Sequence, residues 1–364
     1  MAAAPRAPQT TEFPMVMSFL NQSLRPKEEW SIQQEYPTAL TPSNIHNMRI
    51  ISEDESVILS HAVLKPLIVR SPHMIYKVGA IGSVVTAPEA RNKGYSSQII
   101  DECLANATTQ NCDVAILWTD IYDFYRRLGF ELSGYEISFV IDRPLASQIQ
   151  GLRFLKSDRV APEPILKLYN QHSVAVHRSL EDIRKYLNIP QTQVYTAWDQ
   201  KNQLVAYAIE GKGVDLKGYI HEWGGGMQEV VALLNFIQSQ REEITLMVPR
   251  HSQNMLAFLK TQRIICNEGF LGMIKIVAHE QLFSKVKKAF RTEGVADFVL
   301  EKQGDLFVMG IGRNLITIRG EGNLARVLFG PINYADLNIF EPDSLQKLQK
   351  ILPLGFWMWG WDSI

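Results

Sequence analysis

Arg91-Asn92-Lys93-Gly94-Tyr95-Ser96 is the stretch of this chain whose residue types and spacing best suit chemistry. The apolar run Ala80 to Val85 leads into it through Thr86-Ala87-Pro88, and an amphipathic helical pattern follows over 95–110. A loop between a strand and a helix can aim several backbone N–H groups at one point, at the positive end of a helix dipole. That arrangement holds a pyrophosphate. Gly94 permits tight curvature, and Ser96 keeps the side chain small where a phosphate must approach. A surface turn can carry the same string, so context has to decide. About 30 residues on comes Phe124-Tyr125-Arg126-Arg127-Leu128-Gly129-Phe130-Glu131, which puts a phenol on a short helix closed by a glycine. A positioned phenol is a proton donor; on the plainer reading Tyr125 only packs.

These groups need a scaffold, and apolar periodicity supplies one. Helices are expected over 12–24, 95–110 and 121–128, and strands over 47–51, 57–69 (one strand or a hairpin), 73–85 (one strand or two) and 112–119. Residues 130–141 read as paired strands, and Asp142-Arg143-Pro144 closes a first unit near 145. A second unit repeats the order. It has strands at 152–155, 194–198, 204–210, 219–222, 244–248 and 272–277, and helices at 164–171, 179–187, 227–240 and 254–260. A third unit has a helix from about 281, strands at 296–300, 306–311 and 315–319, a helix at 323–329 and an aromatic tail ending Phe356-Trp357-Met358-Trp359-Gly360-Trp361-Asp362-Ser363-Ile364. The expected boundaries are a disordered 1–11, then 12–145, 146–280 and 281–364. The fold class is α/β and α+β.

Composition bounds the function. A chain of 364 residues suits two or three domains, and 46% hydrophobic with 21% charged residues is ordinary for a globular protein. With 37 basic against 38 acidic residues there is no excess of positive charge, which argues against a nucleic-acid or acidic-membrane partner. No segment approaches the roughly 20 apolar residues of a membrane span, and residues 1–11 lack the apolar run of a secretory signal. Cys103, Cys112 and Cys266 show no metal-ligand spacing, so no metal is expected and a reduced, cytoplasmic setting is the simplest reading. His221-Glu222-Trp223 before Gly224-Gly225-Gly226 reads as structural, because a His-Glu pair without further ligands seldom holds a metal.

Over about residues 40–141, the loop and the Tyr125 segment, in this order and spacing, resemble the GNAT superfamily of N-acetyltransferases. The resemblance implies acetyl-coenzyme A as cofactor, with Val84, Val85 and Thr86 beside the pantetheine arm. It places the backbone of Arg91, Asn92, Lys93, Gly94, Tyr95 and Ser96 around the pyrophosphate. It makes Tyr125 the acid for the departing thiolate, with Tyr122, one helical turn before it, at the cofactor site and as substitute acid. The layout of a full unit, a diverged copy and a short third unit resembles the enhanced intracellular survival (Eis-like) acetyltransferases. Their third domain looks like a sterol carrier protein, and their terminal carboxylate serves as base. Here that carboxylate belongs to Ile364, where the family ends in an aromatic residue, and Asp362 is the nearby acid that could act instead. The tail is equally readable as a structural plug. Trp30, Glu35 and Tyr36 fall in the acceptor region, where aromatic faces beside carboxylates suit a cationic amine; helix packing with solvated acids explains them as well. The implied function is acetyl transfer to a primary amine, on a small molecule or a peptide, and related enzymes are often homo-oligomers. The second copy lacks the loop pattern and is expected not to bind coenzyme A. The alternatives are a non-catalytic acyl-coenzyme A sensor and, less well supported, a lipid carrier.

Overall fold

The computed structural model describes residues 4–53, 57–157, 159–332, 334 and 339–364. The chain starts paired: the backbones of Arg6 and Ile50 exchange hydrogen bonds of 3.0 and 2.8 Å. Residues 4–11 are therefore ordered, contrary to the expected disorder, because β1 offers them a free edge; residues 1–3 lie outside the described part. Helix α1 (Phe13–Leu24) starts with a proline in its first turn and buries Val16, Met17 and Leu20. The single-turn α2 (Ile32–Glu35) is capped by the Ser31 side chain. Then come β1 (Met48–Glu53), β2 (Val57–Arg70) and β3 (Ile75–Thr86), with β2 one long strand rather than a hairpin. Helix α3 (Tyr95–Thr109) leads to β4 (Val114–Leu117), buried throughout as its continuous apolar run requires. Helix α4 (Tyr122–Arg127) ends before Gly129 in the left-handed region at φ 84°, and β5 (Glu131–Ser133) and β6 (Glu136–Ile141) follow.

The second half runs β7 (Arg153–Lys156), α5 (Pro162–Tyr169), β8 (Ala175–Val176), α6 (Leu180–Tyr186), β9 (Gln193–Trp198), β10 (Leu204–Lys212) and β11 (Asp215–Gly225). It continues with α7 (Met227–Gln238), β12 (Ile244–Met247), α8 (Gln253–Thr261), β13 (Ile265–Gly269) and β14 (Gly272–Ile276). Strand β11 extends through the first two glycines of the Gly224–Gly226 run, and β13 was not foreseen. The last part comprises α9 (His279–Thr292), the antiparallel β15 (Phe298–Gln303), β16 (Leu306–Ile311) and β17 (Asn314–Arg319), then α10 (Glu321–Phe329) and α11 (Pro342–Gln349).

The strands form two seven-stranded sheets and one of three. The first is ordered β1-β2-β3-β4-β14-β5, with β8 beside β2; the second is β13-β6-β12-β11-β10-β9-β7. Each large sheet thus takes one central strand from the other half of the sequence. Strands β5 and β6 do not pair with each other, as residues 130–141 had suggested. Gly134, at φ 76°, turns the chain out of the first sheet, and a Cβ there would meet Leu271 at 2.7 Å. Strand β6 then pairs Ile141 with Ile244 and Phe139 with Leu246, burying Ile137, Phe139 and Ile141 on one face. The expected division at 145/146 therefore does not separate the sheets. A single apolar core runs from Val78, Ala80 and Val114 through the second sheet to Phe290 and Phe307 and on to Trp357 and Trp361.

Candidate active site

Strands β3 and β4 pair in parallel only from Val78–Ala80 against Val114–Ile116. Beyond that β3 follows β2 alone and diverges from β4, helped by a register shift opposite His61 to Val63. Ser83 sits in the left-handed region at φ 49°, and its carbonyl accepts a hydrogen bond from Nδ1 of the buried His61 at 2.9 Å. The opening is a cleft of about 610 Å³, with Ile81–Val84 on one wall and Leu117–Asp120 on the other. Unpaired strand backbone along such a wall can hydrogen-bond an extended ligand arm.

At the outer end of β3 the Thr86 hydroxyl lies 2.8 Å from that of Ser60 and 2.8 Å from that of Ser96, tying the strand to the first turn of α3. Between them Asn92 (φ 62°) and Gly94 (φ 79°) curve the loop, and residues 91–94 are exposed. The N–H groups of the first turn of α3 have no acceptor within the helix. A second cavity of about 570 Å³ adjoins the loop, lined by Val85, Thr86 and Arg91 and by Ser18 and Gln22 of α1. Val84 thus lines the cleft, and Val85, Thr86 and Arg91 line the second cavity, whereas Asn92 to Ser96 are not part of either wall.

Tyr125 lines the cleft, 5% exposed, held edge-on between Phe124 at 4.9 Å and Phe130 at 6.0 Å between ring centres. Burial pushes its phenol up to about 12, so the proton stays on. Ile364 lines the same cleft, with its terminal carbon against Gly82 of β3. Tyr122 does not join them: it is 40% exposed and is not part of the cleft wall.

The acceptor side differs from expectation. Glu35 is fully buried, held by Arg25 Nε at 2.8 Å and by the Trp30 indole at 2.5 Å. Its charge is spent on Arg25, so neither Glu35 nor Trp30 faces an incoming amine. Tyr36 does line the cleft, and its hydroxyl donates to Asp215 of β11, itself a wall residue together with Leu216. Glu136 is a further wall carboxylate, its pKa raised by burial. Asp362 is unavailable as a base. It is 2% exposed and accepts from Arg178 Nε and Nη2, both at 2.8 Å, while the other edge of that guanidinium holds Glu222 at 2.8 and 2.7 Å. Glu222 is thus a structural ion partner; among the described residues no cluster of three metal-ligating side chains occurs.

The second sheet contains an equivalent fork. Strands β11 and β12 pair in parallel only at Tyr219–Thr245 and Ile220–Leu246. Past that point the Trp223 indole donates to the Met247 carbonyl at 3.0 Å, and Trp359 of the tail packs edge-on against it at 5.7 Å.

Sequence reasoning missed Lys212, Gly82, Asp215 and Arg178. Lys212 stands between Gly211 and Gly213, both at positive φ, and donates to carbonyls of the tail. The flanking glycines were the one local signal that this turn is unusual.

Residues 4–133 match the model of the acetyltransferase (GNAT) domain family, and the match ends with β5, just before the strand that joins the other sheet. A comparison with curated proteins finds no match. Among solved structures, a GCN5-related N-acetyltransferase from Anabaena variabilis is similar over 100% of both chains, at 16% identity and a TM-score of 0.68. A conserved protein of unknown function from Enterococcus faecalis reaches the same score and identity over 100% of this chain and 97% of its own. Eis1 from Mycobacterium abscessus matches over 100% of both chains at 10% identity, with a TM-score of 0.65. The chain therefore carries, in residues 4–133, an acetyltransferase domain of the GNAT family, whose members draw on acetyl-coenzyme A, set within an overall fold shared with Eis1.

Proposed function

We propose that the protein acetylates a primary amine bound in the β3/β4 cleft, with Tyr125 as acid and the Ile364 carboxylate as base. The observation that carries this reading is that both groups line one cavity, next to the second cavity at the α3 loop. Acetyl-coenzyme A supplies an acetyl thioester, at which the new C–N bond forms and the C–S bond breaks. The Ile364 carboxylate accepts the proton the amine gives up, and the Tyr125 phenol donates its own to the departing thiolate. Val84 to Thr86 hold the donor arm, and the α3 loop holds its pyrophosphate. The wall from Tyr36 and Asp215 to Glu136 receives the acceptor, small molecule or peptide, and its carboxylates favour a cation.

Residues up to β5 and the span around the second sheet are read as a duplicated acetyltransferase unit, since both sheets follow one strand order. Trp223 and Trp359 filling the second fork support a silent second copy. Three antiparallel strands backed by helices are compatible with a sterol-carrier-like last domain. No described helix is long and apolar enough to cross a membrane, and three free cysteines, two of them buried, suit a reducing cytoplasm.

The test is release of coenzyme A across a panel of amines, with the acetylated product identified by mass spectrometry. Tight binding of acetyl-coenzyme A with no turnover on any amine would instead indicate a sensor.

A further inference from the structure

Lys212 is 1% exposed, yet none of the hydrogen bonds of its ammonium goes to a carboxylate. It donates to the carbonyls of Gly360 at 3.0 Å and Trp361 at 3.5 Å, to the Ser363 hydroxyl at 3.2 Å, and to the Ser363 carbonyl. It also lies 4.9 Å from the ring centre of Tyr36, a wall residue of the cleft. Every one of these oxygen partners belongs to the last five residues. A buried ammonium is costly unless its donors are satisfied, so the charge and the docked tail stabilise each other. The geometry is one-sided as well. Lys212 grips the peptide just before Ile364, while Gly82 of β3 leaves the space in which the terminal group sits.

We propose that Lys212 is a positioning residue for the reaction: it fixes residues 360–363 so that the Ile364 carboxylate is presented to the cleft. It acts through the chain terminus and touches neither donor nor acceptor. The inference rests on the reading of that carboxylate as the base.

The experiment is a cycle of four full-length proteins: wild type, Lys212→Met, a chain ending in the Ile364 carboxamide made by protein ligation, and the combination. Turnover, KM for acetyl-coenzyme A, cofactor binding by calorimetry and thermal unfolding are read for each. Lys212→Met is expected to lower kcat roughly 10- to 100-fold, as a misplacement of about 1 Å does, with KM for acetyl-coenzyme A little changed. In the carboxamide background the same substitution is expected to cost nothing further. Lys212→Arg, which keeps charged donors, should recover part of the loss. Unchanged kcat in Lys212→Met overturns the proposal, and so do losses that multiply in the combined protein. An unchanged kcat in the carboxamide protein alone removes the terminal base itself, a failure distinct from that of Lys212. If Lys212→Met does not fold, Lys212→Gln is put through the same cycle under the same criteria.

Discussion

The Cβ that Gly82 lacks would stand 2.6 Å from the terminal carbon of Ile364 and 2.7 Å from its oxygen. Strand β3 accommodates the end of the chain because this one position carries no side chain. Gly82→Ala should therefore push the terminus away while leaving the α3 loop intact. The expected outcome is a fall in kcat of roughly 10- to 100-fold with acetyl-coenzyme A still bound, read by steady-state kinetics and calorimetry.

Tyr125→Phe keeps the ring between Phe124 and Phe130 and removes the transferable proton. A loss of about 100-fold or more in kcat is expected, with thermal stability nearly unchanged. Because the phenol titrates only near 12, the wild-type rate should show no fall from its ionisation up to about pH 9. Equal rates for the two proteins would remove Tyr125 from the mechanism.

Gly94 begins α3 at φ 79°, where a side chain costs roughly 1–2 kcal/mol. Gly94→Val should distort the loop and raise KM for acetyl-coenzyme A several-fold, with kcat at saturation little altered. The reverse pattern would place the loop at the acceptor instead.

Arg178→Met strands two buried carboxylates, Glu222 and Asp362, that share one guanidinium. Losing one member of such a network costs about 3–5 kcal/mol, visible as a lowered urea midpoint. Replacing all three by apolar residues of similar volume should be much milder.

Four histidines, His61 and His221 buried and His172 and His251 half-buried, make the fold sensitive to acid. Burial lowers His61 and His172 to about 4, and His221 and His251 to about 3, from the usual 6.5. Their folded pKa values lie below the unfolded one, so their contribution is complete above pH 6.5. It is lost as pH falls from 6.5 to about 4, and on to about 3 for His221 and His251, the range in which only the unfolded chain readily takes up protons. Each such proton costs about 1.4 kcal/mol per pH unit. The histidine contribution to urea midpoints should be level from pH 7.5 to about 6.5 and then fall steadily to pH 4, and His61→Gln should reduce that slope.

What could be read in advance was local. The Arg91–Ser96 loop, the helix it opens and the Tyr125 segment each depend on residues a few positions apart, and the structure has them where periodicity puts them. The tail's burial followed from its aromatic content, and Trp357, Trp359 and Trp361 are each at most 1% exposed. What was misread depends on distant partners. Glu35 looks like a solvated acid until Arg25, ten residues away, closes on it. Asp362 looks like a free carboxylate until Arg178, 184 residues earlier, is brought beneath it. The apolar runs on either side of Gly134 have the periodicity of a hairpin, and nothing in them says that their partners are β14 and β12.

The exchange of β6 and β14 also sets an order of events during synthesis. The slot between β4 and β5 lies inside the first sheet, and the strand that fills it begins only at Gly272. At ribosomal speeds of about 5–20 residues per second, the emerging acetyltransferase domain waits on the order of ten seconds for that strand. Until then it exposes two unsatisfied strand edges. Cut at residue 145, the first half would keep that vacancy permanently, so it is not expected to be a self-sufficient enzyme.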